Sequence, residues 1–116
     1  MNPNNHLEIE IGGKVRSLYY GMNSLQVFMD EEGLKDVNKI QEGLTSLSGI
    51  RSLLYALCYV GDKIKGNEID YTAFQVGFWL DEMSDEDLAV IMAKFESAHM
   101  LGKNKPQSKG KKTIKK

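Results

Sequence analysis

The residues best suited to chemistry are His6, His99, Cys58 and the acidic run Asp81-Glu82-Met83-Ser84-Asp85-Glu86-Asp87. A structural or catalytic metal site wants three or four such ligands at short, regular spacing. The histidines are far apart in sequence, and neither a CxxC nor an HExxH pattern occurs. A calcium loop starting at Asp81 would need an oxygen ligand third, glycine sixth and glutamate twelfth. Met83, Glu86 and Met92 occupy those places, so the site fails. Carboxylates in a first helical turn are favoured by the macrodipole, which accounts for the run. Gly12-Gly13 lacks the following helix and the lysine of a phosphate-binding loop. Two poorly placed histidines give no local signature for Ser/His/Asp or Cys/His catalysis. The sequence is therefore expected to be non-enzymatic, with no metal and no cofactor.

Charge is distributed unevenly behind a net value of −1. Eight of the 15 basic residues and all 16 acids lie in residues 1–102, a net charge of −8. Lys103, Lys105, Lys109, Lys111, Lys112, Lys115 and Lys116 make the remainder a +7 arm. Such an arm could neutralise phosphates independently of nucleotide sequence. It has no arginine and no aromatic residue to stack on bases, and the acidic body repels phosphate. A solvated, disordered tail is the expectation for residues 103–116, and nucleic acid is disfavoured as a partner.

Apolar residues make up 41% and charged residues 27%, as in an ordinary globular domain. One domain is expected over residues 1–102, with a core that needs no staples. The single cysteine excludes an internal disulfide and fits a reducing cytoplasm. The N-terminus has neither the basic start nor the apolar core of a secretory signal. The longest apolar run is well short of the roughly 20 residues that span a bilayer, so no membrane association is expected.

Residues 50–60 form the stretch around which the chain is organised. Ile50, Leu53, Leu54, Leu57 and Cys58 fall at helical spacing on one stripe, and Tyr55, Ala56, Tyr59 and Val60 cover most of the rest. A helix apolar nearly all round sits in the middle of a domain. Ser48 and Gly49 are expected to precede it, Gly61 to cap it, and residues 61–67 to form a polar loop.

Before this hub, Leu7, Ile9 and Ile11 alternate with Glu8 and Glu10, the pattern of a half-buried strand. Gly12-Gly13 can make a tight turn into a second strand reaching Tyr20, giving a hairpin over residues 7–20. Glu8 and Glu10 are expected to pair with Lys14 and Arg16 across the solvent face. Asn23 or Ser24 should cap a short helix bearing Leu25, Phe28 and Met29, with Glu31 or Glu32 opening the next segment. Leu34, Val37, Ile40 and Leu44 suggest a thin amphipathic helix ending near Gly43.

After the hub, Asp70 is expected to cap a helix carrying Tyr71, Phe74, Phe78, Trp79 and Leu80. Phe74 and Phe78 share a face and are expected in the core, while Trp79 turns about 100° from Phe78. Core and partner surface both remain open for Trp79, since tryptophan is enriched at interfaces. Ser84 should cap a last helix, with Asp87 in a capping-box position and Leu88, Ile91, Met92 and Phe95 on one face, ending near residues 101–102. The fold class is thus mostly α with a short N-terminal β-hairpin, a compact domain of four to five helices.

This order of features resembles a known family. A hairpin enters through Tyr20-Gly21-Met22-Asn23-Ser24-Leu25, then come a Glu31-Glu32-Gly33 stop and a hub beginning Arg51-Ser52-Leu53-Leu54-Tyr55-Ala56. A helix with Val76-Gly77 precedes an acidic break and a final amphipathic helix with a polar tail. Over roughly residues 7–101 the chain is similar to the tail assembly chaperones of long-tailed bacteriophages and prophages. The resemblance implies a phage protein that acts in the cytoplasm of the bacterial host, coats the tape-measure protein and is absent from the mature virion. It also implies recruitment of tail-tube subunits, often through a longer frameshifted product, and allows self-association. The family supplies no catalytic residues to carry over. Trp79, Phe28 and Met29 are the candidate partner-binding residues, with methionine an adaptable contact surface or a core filler. A nucleic-acid-associated regulator using the basic arm and a structural tail component are the competing expectations.

Overall fold

The computed structural model describes residues 5–97. The lysine arm, His99 and the helix end expected near 101–102 lie outside them. The architecture is a two-stranded antiparallel hairpin followed by helices, as the hydropathy pattern indicates.

Strands β1 (His6–Ile11) and β2 (Lys14–Tyr19) are joined by Gly12 and Gly13, at φ 64° and 92°. Two consecutive positive φ angles are what a two-residue hairpin turn demands and what side-chain-bearing residues resist. The register pairs Leu7 with Leu18, Ile9 with Arg16, Glu8 with Ser17 and Glu10 with Val15. The anticipated cross-strand ion pairs therefore do not form. Arg16 shares a face with Leu18 and is buried, while Val15 is 65% exposed. Glu8 instead meets Lys65 at 3.5 Å.

Helix α1 (Met22–Glu32) starts from Gly21 without a side-chain cap. The expected cap Ser24 is inside the helix and buried, its hydroxyl donating to the Tyr19 carbonyl at 2.5 Å. Glu31 and Glu32 remain helical, and Gly33 closes the helix at φ 70°. The unfavourable acid at the C-terminus has local compensation: the Glu32 carboxylate accepts from Ser48 Oγ at 3.1 Å and Ser52 Oγ at 2.6 Å. The single helix anticipated from Leu34 to Gly43 is not formed. A 3₁₀ turn (Val37–Lys39) leads into the one-turn α2 (Ile40–Gly43), and only Ile40 of the two is buried. The Asp36 carboxylate accepts from the Asn38 N–H at 2.9 Å, a local bond that competes with helix at that point.

Helix α3 (Leu47–Lys65) contains the hub and extends it in both directions. Ser46, two residues earlier than expected, caps it by accepting from the Gly49 N–H at 2.9 Å. Gly66, at φ 77°, ends it in place of Gly61. Gly61 lies inside the helix, where a Cβ would stand 1.8 Å from the Ser17 carbonyl oxygen. This glycine lets α3 cross β2 at backbone contact. Leu53, Leu54, Ala56, Leu57 and Cys58 are buried from the same helix, against α1, β2 and the next helix.

Beyond α3, Thr72 rather than Asp70 caps α4 (Ala73–Glu82), accepting from the Gln75 N–H at 3.2 Å. Asp62, expected in a loop, is helical and buried; its carboxylate accepts from Tyr71 Oη at 2.5 Å and Asn67 Nδ2 at 3.0 Å. These bonds fold the 66–72 connection back onto α3 and satisfy a buried charge. In α5 (Asp85–Ser97) the Asp87 N–H donates to Ser84 Oγ at 3.1 Å, the expected cap. Ile91 and Phe95 are buried, and the Ile91 carbonyl accepts from Tyr20 Oη at 3.0 Å, tying α5 to the end of the hairpin.

Candidate partner-binding surface

Helix α4 carries Ala73-Phe74-Gln75-Val76-Gly77-Phe78-Trp79-Leu80, apolar on every side before Asp81. A helix of that composition buries its whole circumference when it has neighbours on all sides. Here it has them on one. Val76 is fully buried, and Trp79, Leu80 and Met83 pack against the core. Phe74 and Phe78, expected in the core, lie on the opposite face at 69% and 55% exposure. Their rings meet edge to face at 5.2 Å, so the pair is a pre-organised aromatic ridge.

An open, mainly apolar groove of about 550 Å³ lies between the start of α3, the second half of α4 and Leu88 of α5. Leu47, Ile50, Leu80 and Leu88 supply its walls. Leu47 is 87% exposed, although it begins the central helix. Arg51 lies along the floor, its stem against Gly77, where a Cβ would approach Arg51 Cδ to 3.2 Å. Arg51 Nε is shut off from solvent without a hydrogen-bond acceptor. Asp81 is the acid at the groove.

Trp79, the residue left open between core and surface, packs inward in part. The guanidinium carbon of Arg16 stands 4.1 Å from its ring centre, and the Tyr71 ring lies at 5.2 Å. A Cβ on Gly12 would fall 2.6 Å from the indole, so the hairpin turn also presses on it. Arg16 Nε donates to the Ile11 carbonyl at 2.8 Å. The buried guanidinium thus lies against two neighbouring aromatic rings, Trp79 and Tyr71, and has a backbone acceptor, which compensates its charge. Trp79 thus holds the hairpin to α4. Phe28 and Met29 are core residues, 0% and 8% exposed, and present no surface to a partner in this conformation.

Among the described residues, no group of three or more His, Cys, Asp and Glu is arranged to hold a metal ion. Glu10, Glu82 and Asp87 rim a smaller cleft of about 390 Å³ beside Trp79. Cys58 is fully buried, and desolvation pushes its thiol up to about 12, so no thiolate is present at neutral pH. Burial also raises Tyr20 and Tyr71 above the ordinary tyrosine range, for Tyr71 with the added effect of its bond to Asp62. These groups make folding pH-dependent on the alkaline side. Above the ordinary thiol value of 9.0, the unfolded chain releases protons that the folded chain keeps. Stability is therefore complete below that pH and falls as pH rises through the alkaline range. Thermal melts from about pH 8 to about pH 11 should show a declining midpoint, and Cys58→Ala should shed part of the decline. A thiol reagent at neutral pH should label Cys58 only after unfolding.

What sequence reasoning missed are Phe74 and Phe78, together with Leu47, Ile50 and Leu88 as one surface. The available signal was α4 itself, which carries more apolar faces than a small domain can cover. No protein-family model, curated protein or solved structure matches this chain. Among the described residues no helix is long and apolar enough to cross a membrane.

Proposed function

We propose that this protein is a phage tail assembly chaperone: it binds the tape-measure protein, keeps it soluble and helps recruit tail-tube subunits during tail morphogenesis. The observation that carries the reading is the apolar surface left uncovered around α4: exposed Phe74 and Phe78, and a groove walled by Leu47, Ile50, Leu80 and Leu88. Contiguous exposed apolar surface of this kind marks a protein-binding site. A client with its own apolar stripes would be shielded there from self-association. The acidic body would keep many copies along one client soluble and mutually repelling. The sequence resemblance supplies the identity of the client. In this reading the protein works in the host cytoplasm and leaves before the virion is complete, and a longer frameshifted form contacts the tail-tube protein.

Co-expression with the tape-measure protein of the same phage tests this. The expected result is that the tape-measure protein becomes soluble and copurifies with several copies of the chain. The Phe74→Ser/Phe78→Ser double variant should fold and reduce the copurified client at least about tenfold, the scale of losing an aromatic anchor. A tape-measure protein that stays insoluble and unbound, while the chain alone retards DNA at low salt, would discard the chaperone in favour of the basic-arm regulator.

A further inference from the structure

The hairpin has one covered edge and one open one. We infer that the open edge, along β1, takes a further strand: an extended segment of a partner protein in which apolar and basic residues alternate. This surface is separate from the Phe74–Phe78 side of α4, and the inference does not rest on the chaperone reading.

Backbone hydrogen bonding locates the edge. In a two-residue hairpin the residues flanking the turn, here Ile11 and Lys14, exchange both of their backbone bonds, and bonded and unbonded pairs then alternate. The bonded pairs are Ile11–Lys14, Ile9–Arg16 and Leu7–Leu18. The Tyr20 N–H, which donates to the Asn5 carbonyl at 2.7 Å, continues the same phase. Glu8 and Glu10, paired with Ser17 and Val15, fall between, so their N–H and C=O groups point away from β2. On the opposite edge the outward Ser17 carbonyl is covered, since α3 crosses it at Gly61. Among the described residues the sheet has two strands, and none lies outside β1. Unpaired donors and acceptors at alternate residues are a template for strand addition.

Side chains select the sequence of the added strand. Leu7 and Ile9 pack against the core yet remain half-buried, so an apolar residue beside them extends the inner face. Glu8 and Glu10 are exposed on the outer face. At the turn end Glu10 also rims the cleft of about 390 Å³ with Glu82 and Asp87, and no lysine or arginine lines it. Of the nearby cations, Arg16 is turned inward onto Trp79, and Lys65 already meets Glu8 at 3.5 Å. Basic residues opposite Glu8 and Glu10 meet complementary charge, and acidic ones are repelled. A second copy pairing through its own β1 would set glutamate against glutamate. The chain's own residues 103–116 have the lysines but not the alternation, since Ile114 is their sole large apolar residue.

The test uses the full chain and peptides of alternating lysine and valine about seven residues long, roughly the extended length of β1. Two derivatives carry methyl groups on the backbone nitrogen of every lysine or of every valine. Each blocks one edge of the peptide strand while leaving its charge unchanged. Binding is read by fluorescence anisotropy at near-physiological salt, and amide exchange by NMR. The expected result is that the parent peptide binds and slows exchange of the Glu8 and Glu10 amides. One methylated derivative should bind like the parent and the other at least about tenfold more weakly, a difference of about 1.4 kcal/mol. Loss on methylating lysine reports antiparallel addition, and loss on methylating valine reports parallel addition. A peptide with glutamate in place of lysine should also bind at least about tenfold more weakly.

Glu10→Pro removes an outward N–H without removing a bond to β2, a substitution that strand edges tolerate. Glu10→Gln removes the same charge and keeps the donor. Glu10→Pro should weaken the parent peptide at least about fivefold more than Glu10→Gln does, with circular dichroism checking that both variants fold. The methylated peptides, used on the unmodified chain, keep the test decisive if Glu10→Pro unfolds. Equal binding of the two methylated peptides overturns the inference, because attraction to an acidic body alone gives that result. So does a peptide that binds without protecting Glu8 and Glu10, which places the contact elsewhere. Slow exchange of those amides before any peptide is added overturns it too, since the edge is then already occupied by the basic arm or a second copy.

Discussion

Gly61→Val should abolish cooperative folding. Helix α3 crosses β2 so closely that a Cβ at position 61 would stand 1.8 Å from the Ser17 carbonyl oxygen and 2.8 Å from its carbon. Both atoms are backbone, and neither can rotate aside. Relief requires lifting the central helix off the strand, which uncovers Leu18, Leu57 and Cys58, all at 0% exposure. The expected cost is at least about 4–5 kcal/mol, in the range reserved for severe core disruption. That is comparable with the whole stability of about 5–15 kcal/mol typical of a single domain. Urea titration followed by circular dichroism would show a lost or broadened transition. Gly13→Ala is the appropriate comparison: φ is +92° there, but nothing lies within 4 Å of an added Cβ. Its cost should stay near 1 kcal/mol, the left-handed backbone penalty alone. A Gly61→Val protein that melts like wild type would mean that helix and strand do not meet at backbone contact.

Phe28→Ala should destabilise the fold by about 3–5 kcal/mol, the cost of emptying a fully buried aromatic site. Phe28 is 0% exposed within α1, and its ring also reaches α2: a Cβ on Gly43 would lie 3.5 Å from Phe28 Cζ. Truncation therefore opens a cavity under α1 and loosens α2, which buries only Ile40 of its own. The measurement is the urea midpoint, with client binding assayed separately under conditions where the variant remains folded. Loss of stability with binding retained is the result expected of a core residue. Normal stability with binding lost would return Phe28 to the partner surface that sequence reasoning gave it. The two aromatic environments in this protein thus make opposite predictions: Phe28 governs stability, whereas Phe78 governs binding with little effect on stability.

Local pattern was sufficient for much of the fold. Alternating Leu7, Ile9 and Ile11 with a following Gly12-Gly13 dictated the hairpin, because only a strand places alternate residues on one face and glycine tolerates two positive φ angles. The apolar circumference of residues 50–60 marked the central helix, and Ser84 with Asp87 marked the start of the last one. Each of these signals is carried within about one or two turns of chain. Glycine was ambiguous by comparison. Gly61 and Gly66 both follow the hub, and a helix cap and a close helix–strand crossing call for the same residue for different reasons.

What tertiary structure decided was which side of each element met a neighbour. Arg16 shares a strand face with Leu18, yet its charge argued for solvent; the rings of Trp79 and Tyr71 and the Ile11 carbonyl made an inward place for it. Those partners lie up to 63 residues away in the chain, beyond any local pattern. Likewise α4 is apolar on all sides, so its sequence dictated a helix with too much surface to hide but not which side stays open. The hairpin turn and α3 take the side bearing Val76 and Trp79, and Phe74 and Phe78 are left outside. The sequence by itself determined that this is a helical domain with a hairpin, an acidic body and a surplus of apolar surface. Only the packing decided where the surplus lies, because burial depends on contacts between distant segments whereas periodicity reports on near ones.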